Sequence, residues 1–195
     1  MSGKQRILIS GSGIGGPALA YWLLRYGFEP TLIEHALAFR EGGYMIDVWG
    51  TGYDLVERYG LLEATRAHAY AFDRLKFVNA RGHAVSGFGS AVFQRALAGR
   101  FFSIPRGDLA RTLHDTVAGK VETFYRTSIK ELKGDANGVT ILLTSGESRY
   151  FDIVIGADGL HSRVRELVFG TETFVRKISR LLCRFLHRPG LSPSR

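Results

Sequence analysis

The sequence predicts an α/β fold built on a Rossmann-like βαβ unit with a parallel sheet, and three features of its first 34 residues support this. Residues 7–9 (Ile-Leu-Ile) form a short apolar run that is typical of a buried parallel strand. A glycine-rich turn follows, and after it apolar residues recur at helical spacing until Gly27, which is placed to end the helix. Residues 31–33 then predict a second buried strand, and Glu34 lies at its end.

The turn between strand and helix carries Gly11, Gly13 and Gly16 in G-x-G-x-x-G spacing. The first glycine allows a tight turn, the second lets the backbone approach a pyrophosphate, and the third lets helix and strand pack closely. The free N–H groups and the dipole of the helix also favour a pyrophosphate. Glu34 stands about where an acidic side chain accepts hydrogen bonds from a ribose diol. We therefore predict a dinucleotide site; the alternative is a purely structural βαβ turn.

Composition is that of an ordinary globular protein, with 45% hydrophobic and 23% charged residues among 195. No apolar run reaches the roughly 18 residues that span a membrane, and no secretory signal is evident. A single cysteine, Cys183, excludes an internal disulfide and favours a cytoplasmic location. Because most of the net charge of +8 lies in residues 171–195, it gives little support to nucleic-acid binding, and we expect none.

Between residues 35 and 120 the apolar pattern alternates between strand and helix. The predicted elements are an extended segment over 44–48, two short helices within 51–69, a hairpin over 72–85, a loop over 87–100, a strand over 101–104 and a helix over 109–117. Gly60 divides the helical stretch, because an interior glycine weakens a helix. Leu75 and Phe77 alternate before a turn at 80–82, which indicates the hairpin. Asp108 is expected to cap the helix that follows it.

The stretch from 121 onward predicts mainly strands, because β-branched and aromatic residues are frequent in it. The predicted strands cover 121–125, 128–132, 139–144 and 148–155, with a turn over 134–138. Asp158 and Gly159 follow the last strand, and a helix is expected to start near Ser162. Ligands of open α/β sheets bind at this edge. The alternative is a polar turn in which Asp158 only caps the helix.

Together these stretches resemble the N-terminal half of the FAD-dependent aromatic hydroxylases, the flavoprotein monooxygenases of the p-hydroxybenzoate hydroxylase type; the tetracycline-inactivating monooxygenases are among the closer-looking relatives. Three motifs carry the resemblance: the glycine fingerprint with Glu34, the Arg106-x-x-Leu109 helix start, and the D-x-x-x-x-A-D-G-x-x-S-x-V-R run of residues 152–165. The resemblance covers about residues 5 to 170. It implies an incomplete FAD-binding domain over 1–170, with a parallel sheet and a β-meander, in which 72–104 forms part of a small substrate-covering sheet.

The resemblance also implies which residues contact the cofactor. The turn would bind the FAD pyrophosphate through Gly11, Gly13, Ile14, Gly15 and Gly16. Glu34 would hold the adenosine ribose, and Asp47 would lie near the flavin. Arg40 and Arg106 would lie along the phosphate and ribityl chain, where a guanidinium bonds anionic oxygens bidentately. Asp158 would serve both FAD and the transient NADPH.

In this family NADPH or NADH reduces the flavin, which then uses O2 to hydroxylate a small electron-rich aromatic or polyketide-like substrate. Because the cofactor carries the chemistry, the resemblance implies no catalytic side chain. The six histidines show no metal-ligand spacing, so no metal site is expected. The sequence leaves the oligomeric state open.

The chain departs from the family after Gly170. Family chains are about twice as long, and their third, Gly-Asp fingerprint is absent. We interpret residues 171–195 as a basic tail that is not native to the family fold, produced by a frameshift or premature stop; a basic amphipathic helix that contacts a membrane or partner is the alternative. The expected function is therefore a truncated, impaired monooxygenase. The alternatives are an inactive FAD-binding remnant and an NAD(P)-dependent dehydrogenase with a simple Rossmann domain.

Overall fold

The computed structural model describes residues 3–39 and 42–170, and these form an α/β fold. The strands are β1 Arg6–Ser10, β2 Glu29–Ile33, β3 Met45–Trp49, β4 Arg74–Val78, β5 Ala84–Gly89, β6 Phe101–Pro105, β7 Glu122–Phe124, β8 Ile129–Gly134, β9 Val139–Leu143, β10 Ser148–Phe151 and β11 Ile153–Gly156. The helices are α1 Gly15–Arg25, α2 Thr51–Arg58, α3 Leu62–Arg66, α4 Ala91–Ala96, α5 Arg106–Asp115 and α6 Arg163–Phe169.

A four-stranded parallel sheet in the order β11–β1–β2–β7 forms the centre of the fold. In the register, Ile9 of β1 lies between Ile155 of β11 and Leu32 of β2. Ile9 and Leu32 are fully buried, as the apolar runs in the sequence predict. The predicted parallel sheet is therefore confirmed.

Each face of this sheet is covered by a different layer. Ile7, Ile9 and Leu32 pack on one face against α1 and against Val117 and Val121. On the other face, Leu8 and Ile33 pack against the antiparallel meander β8–β9–β10. Burial of both faces explains why the strands are apolar throughout rather than alternating.

A second, smaller region contains two antiparallel ribbons, β3–β6 and β4–β5. One face of β3–β6 forms a core with α2 and α5 through Val48, Ile104 and Leu109. The predicted hairpin, the two short helices within 51–69 and the strand at 101–104 all form. The ribbon places Arg106, the first residue of α5, directly after β6.

Three predicted elements were wrong in detail. Residues 148–155 form two strands rather than one, because the chain leaves the meander and enters the parallel sheet at Asp152, whose carboxylate accepts the Arg6 N–H at 2.6 Å. Residues 87–100 are not a loop but hold the end of β5 and α4. Helix α5 starts at Arg106, so Asp108 lies in its first turn and is not the cap.

Within the described residues, no helix combines the length and apolarity that crossing a membrane requires. The predicted basic tail, residues 171–195, lies outside the described part of the chain.

Candidate functional site

A cleft of about 740 Å³ lies at the carboxyl edge of the parallel sheet. Its walls come from segments that directly follow β1, β2 and β11, together with the start of α5. Seven of the predicted cofactor-binding residues line it: Gly11, Gly13, Ile14, Gly15, Glu34, Arg106 and Asp158. The structure therefore brings together residues that lie more than 140 positions apart in the sequence, at the edge where ligands of parallel sheets bind.

The glycines of the turn differ in how much space the surrounding atoms leave for a side chain. Gly11 has φ +107°, and a Cβ there would lie 2.5 Å from the carbonyl oxygen of Ala157. A Cβ on Gly16 would overlap the carbonyl oxygen of Gly11. Gly13 has neither constraint, because its nearest neighbour would be the Arg106 Nη2 atom at 3.4 Å. Packing therefore requires Gly11 and Gly16, whereas the backbone at Gly13 is left open to the cleft.

The N-terminus of α1 faces the cleft and has anion-binding character. The helix begins at Gly15, and its N-cap residue, Ile14, supplies no side-chain hydrogen bond to the first turn. The first N–H groups of such a helix lack partners within the helix and carry a partial positive charge. An anionic group in the cleft would satisfy them.

Ser12, inside the turn, has an unusual hydroxyl group. The side chain is only 4% exposed, yet among the described residues its Oγ atom has no hydrogen-bond partner. A buried polar atom without a partner costs free energy, so such atoms often mark the place of a ligand or water.

Glu34 makes contacts that the sequence did not predict. Its Oε2 accepts the Ser12 N–H at 2.9 Å, and its Oε1 accepts the Ala36 N–H at 2.8 Å. The carboxylate thus joins the glycine turn to the segment that follows β2. It positions the turn in addition to facing the cleft.

Asp158 uses one of its two carboxylate oxygens in the fold. Its Oδ2 accepts the N–H groups of Arg163 at 2.8 Å and Val164 at 3.1 Å, and the Ser10 hydroxyl at 3.3 Å. These bonds cap the start of α6, as the structural alternative predicted. The Oδ1 atom is buried and, within the described residues, unpartnered. Capping therefore leaves one oxygen of Asp158 unexplained.

Arg106 reaches across the mouth of the cleft. Its backbone N–H donates to Tyr44 O at 2.9 Å, and its aliphatic stem would be 3.3 Å from a Cβ on Gly43. The guanidinium then lies beside Gly13. A cation at this point faces the same space as the N-terminus of α1.

Of the other three predicted site residues, two lie away from the lining. Gly16 packs behind the turn, against Gly11 and Leu32. Asp47 lies on β3, where it accepts the Ser103 hydroxyl at 2.5 Å. Arg40 lies outside the described residues.

The cleft also contains residues that the sequence analysis missed. These are His35, Phe39, Thr127, Ser128, His161 and Arg163. Most follow the ends of β2, β7 or β11, so the rule that parallel strands share a carboxyl edge could have identified them. Across the described residues, no group of three or more His, Cys, Asp or Glu side chains is arranged to hold a metal ion.

Proteins with sequences similar to this chain include flavin-dependent monooxygenases. No protein-family model matches the sequence. An uncharacterized protein of Mycobacterium tuberculosis is 36% identical over 176 residues, which cover 89% of this chain and 47% of that protein. A flavin-dependent monooxygenase of an unknown prokaryotic organism is 34% identical over 181 residues, covering 89% of this chain and 45% of its own length. A flavin-dependent monooxygenase of Legionella longbeachae is 34% identical over 174 residues, covering 87% of this chain and 43% of its own length.

Solved structures of two proteins also match most of this chain. The tetracycline destructase Tet(55) has a TM-score of 0.74 and 34% identity, covering 87% of this chain and 42% of its own. Klebsiella pneumoniae HpxO, solved with FAD and uric acid, has a TM-score of 0.70 and 25% identity, covering 85% of this chain and 42% of its own. The chain thus spans less than half the length of these relatives.

Proposed function

We propose that this chain, which corresponds to the N-terminal part of the FAD-dependent monooxygenase family, binds FAD in the cleft at the carboxyl edge of its parallel sheet. One observation carries the proposal: the open backbone at Gly13, the N-terminus of α1 and the Arg106 guanidinium lie side by side in the lining of the cleft. A pyrophosphate placed there would accept hydrogen bonds from these donors.

The surrounding residues suit the parts of FAD. The N-terminus of α1 and the open backbone at Gly13 suit a pyrophosphate, and the Arg106 guanidinium adds a cation beside it. Glu34 is placed to accept ribose hydroxyls while it holds the turn. We retain Arg40 and Asp47 as proposed contacts farther along the cofactor, and 1–170 as the proposed FAD-binding domain with 72–104 as part of a substrate-covering sheet.

The proposed activity is the NAD(P)H-dependent hydroxylation of a small aromatic or polyketide-like molecule. When bound, the flavin would supply electron transfer from the nicotinamide and the activation of O2. The contribution of this chain would be to bind and orient the cofactor. The N–H groups of α1 and the guanidinium of Arg106 would donate to the phosphates, and the carboxylates of Glu34 and Asp158 would accept hydrogen bonds from hydroxyl groups. Relatives named as flavin-dependent monooxygenases support this assignment.

A titration of the purified chain with FAD, followed by visible absorbance, tests the cofactor. We expect a bound-flavin spectrum that Gly13→Ala, Glu34→Ala and Arg106→Ala each weaken. Arg74→Ala, on an exposed strand of the hairpin, is the matched control for Arg106→Ala and should bind normally. A folded protein that binds NADH but ignores FAD would contradict the proposal and support the dehydrogenase alternative.

We also propose that the chain by itself catalyses hydroxylation more slowly than its longer relatives do. The support is apolar surface beside β11 and α6: Ile153 is 42%, Val168 50% and Phe169 70% exposed. Such a surface is typical of a contact face with further protein. Substrate-dependent O2 uptake and NADPH oxidation, measured beside a full-length relative, test this; equal rates would show that the chain is not impaired.

A further inference from the structure

A second cavity, of about 330 Å³, lies at the amino edge of the parallel sheet, where its strands begin, and strand β10 forms the opposite wall. We call it the amino-edge cavity. Arg6, the first residue of β1, lines this cavity, whereas Ser10, the last residue of β1, lines the proposed cofactor cleft. Four residue steps of about 3.3 Å place these two ends of β1 roughly 13 Å apart. The amino-edge cavity is therefore separate from the cofactor cleft.

The strand register explains how polar side chains come to line the amino-edge cavity. Arg6 pairs with Glu29, and Thr31 pairs with Glu122, so these residues form two rows across β1, β2 and β7. Residues two apart on a strand share a face, so Glu29 and Thr31 lie on the same face as Ile33, which packs against the meander. The apolar core between sheet and meander therefore gives way to polar side chains at this edge.

Two of the four charged groups that line the amino-edge cavity neutralise each other. Arg149 Nη1 donates to Glu122 Oε2 at 2.8 Å. The Arg6 guanidinium lies over the ring of Tyr150, 5.7 Å from its centroid, and forms no ion pair within the described residues. The carboxylate of Glu29 also has no ion-pair or hydrogen-bond partner in that part of the chain. The cavity thus presents one unpaired cation and one unpaired carboxylate on neighbouring strands.

Thr31 supplies a hydroxyl group in the second row of the cavity lining. The residue is only 7% exposed, yet its hydroxyl makes no hydrogen bond to any described residue. A polar side chain buried to this degree normally bonds to protein, water or a ligand. Valine has the same shape and no polar atom to desolvate, so packing alone would favour valine at this position. A ligand in the cavity would give the hydroxyl a partner.

We propose that the amino-edge cavity binds a small zwitterion of the amino-acid class. The ligand's carboxylate accepts hydrogen bonds from the Arg6 guanidinium, its ammonium group donates to Glu29, and a polar group on its side chain bonds the Thr31 hydroxyl. Neighbouring strands lie about 4.8 Å apart, which suits a ligand whose two charged groups share one carbon atom. Glu29 would repel a simple anion and Arg6 would repel a simple cation, so a ligand with both charges fits better than either.

A ligand-observed NMR titration of the purified chain with L-serine tests the proposed ligand class. Two analogues are the matched controls: N-acetyl-L-serine lacks the ammonium group, and L-serinamide lacks the carboxylate. We expect L-serine to bind at least about tenfold more tightly than either analogue, because each analogue loses one charge-assisted hydrogen-bonding group. Equal binding of the three compounds, or no binding of L-serine, would overturn the proposal.

Substitutions in the cavity test where L-serine binds. Arg6→Gln and Glu29→Gln should each weaken its binding at least about tenfold, whereas Arg74→Gln and Glu63→Gln, at exposed positions on β4 and α3, should leave it unchanged. Thr31→Val should weaken binding about threefold without lowering the melting temperature of the ligand-free chain, because the hydroxyl it removes has no partner there.

Unchanged L-serine affinity in Arg6→Gln or Glu29→Gln would overturn the assignment to this cavity. FAD titration of the same two variants separates this inference from the proposed function. Their FAD affinity should equal that of the parent, because the cofactor cleft lies at the other edge of the sheet. Equal losses of FAD and L-serine binding in both variants would contradict two separate sites, whereas failure of the parent chain to bind FAD would overturn only the proposed function.

Discussion

Replacing Gly16 by alanine sets two physical effects against each other. Gly16 is the second residue of α1, and alanine in a helix is normally favoured over glycine by up to about 1 kcal/mol. The structure predicts the opposite outcome here. The new Cβ would overlap the carbonyl oxygen of Gly11 and lie 3.2 Å from Leu32 Cδ2, so α1 would have to move away from the sheet.

The size of the effect follows from what has to move. Overpacking that shifts backbone costs about 1–3 kcal/mol or more, and here the opposing atom is backbone rather than a flexible side chain. We expect Gly16→Ala to lower the free energy of unfolding by about 3 kcal/mol. Gly13→Ala is the control: its Cβ would meet only Arg106 Nη2 at 3.4 Å, and we expect a change within about 0.5 kcal/mol.

Urea unfolding followed by circular dichroism, without added FAD, measures both variants. With a slope of about 2 kcal/mol per molar urea, Gly16→Ala should lower the midpoint by roughly 1.5 M. The Gly13→Ala midpoint should match the parent. A Gly16→Ala midpoint at or above that of the parent would refute the packing argument, because helix propensity would then outweigh the clash.

Three further outcomes follow from named contacts. Glu34→Ala leaves two backbone N–H groups without their charged acceptor and should lower the free energy of unfolding by about 2–4 kcal/mol. The control, Glu63→Ala on an exposed helical turn, should change the free energy of unfolding by less than about 0.5 kcal/mol. Urea titration measures both variants. Ser162→Ala removes the side-chain cap of α6 and should cost about 1 kcal/mol, measured as a lower melting temperature. Burial raises the pKa of Tyr59 above its ordinary value of 10.0, so the folded state holds the phenolic proton more tightly than the unfolded state. The free energy of unfolding should therefore fall as the pH rises above about 10, and this decline should be smaller in Tyr59→Phe.

Local sequence was sufficient to predict the first βαβ unit. β1, the glycine turn, α1 and β2 follow one another within residues 6–33, and each has its own periodicity or turn chemistry. Position-specific glycines such as Gly11 could be assigned because a left-handed backbone and close packing both exclude other residues. The parallel sheet followed from these strands being apolar on both faces.

The missed features depend on contacts between distant residues. The break between β10 and β11 occurs where Asp152 bonds Arg6, 146 positions away, and both halves of the stretch have strand-forming composition. Helix α4 is too short to show a helical period, and its Phe93 stacks on Phe101 at 5.0 Å. The bond from Glu34 to the Ser12 N–H could be found only once the turn was placed in three dimensions.

The fold requires some glycines of the turn and a bound ligand would require others. Only the glycines that the fold does not require support FAD binding. Gly11 and Gly16 are explained completely by packing against Ala157 and against each other, so a protein with no ligand would need them too. Gly13 has no such explanation within the described structure, because a Cβ there would meet only Arg106 Nη2, at 3.4 Å. Because packing does not require a glycine at this position, the open backbone of Gly13 beside the α1 N-terminus and Arg106, rather than the fingerprint as a whole, argues for a bound dinucleotide.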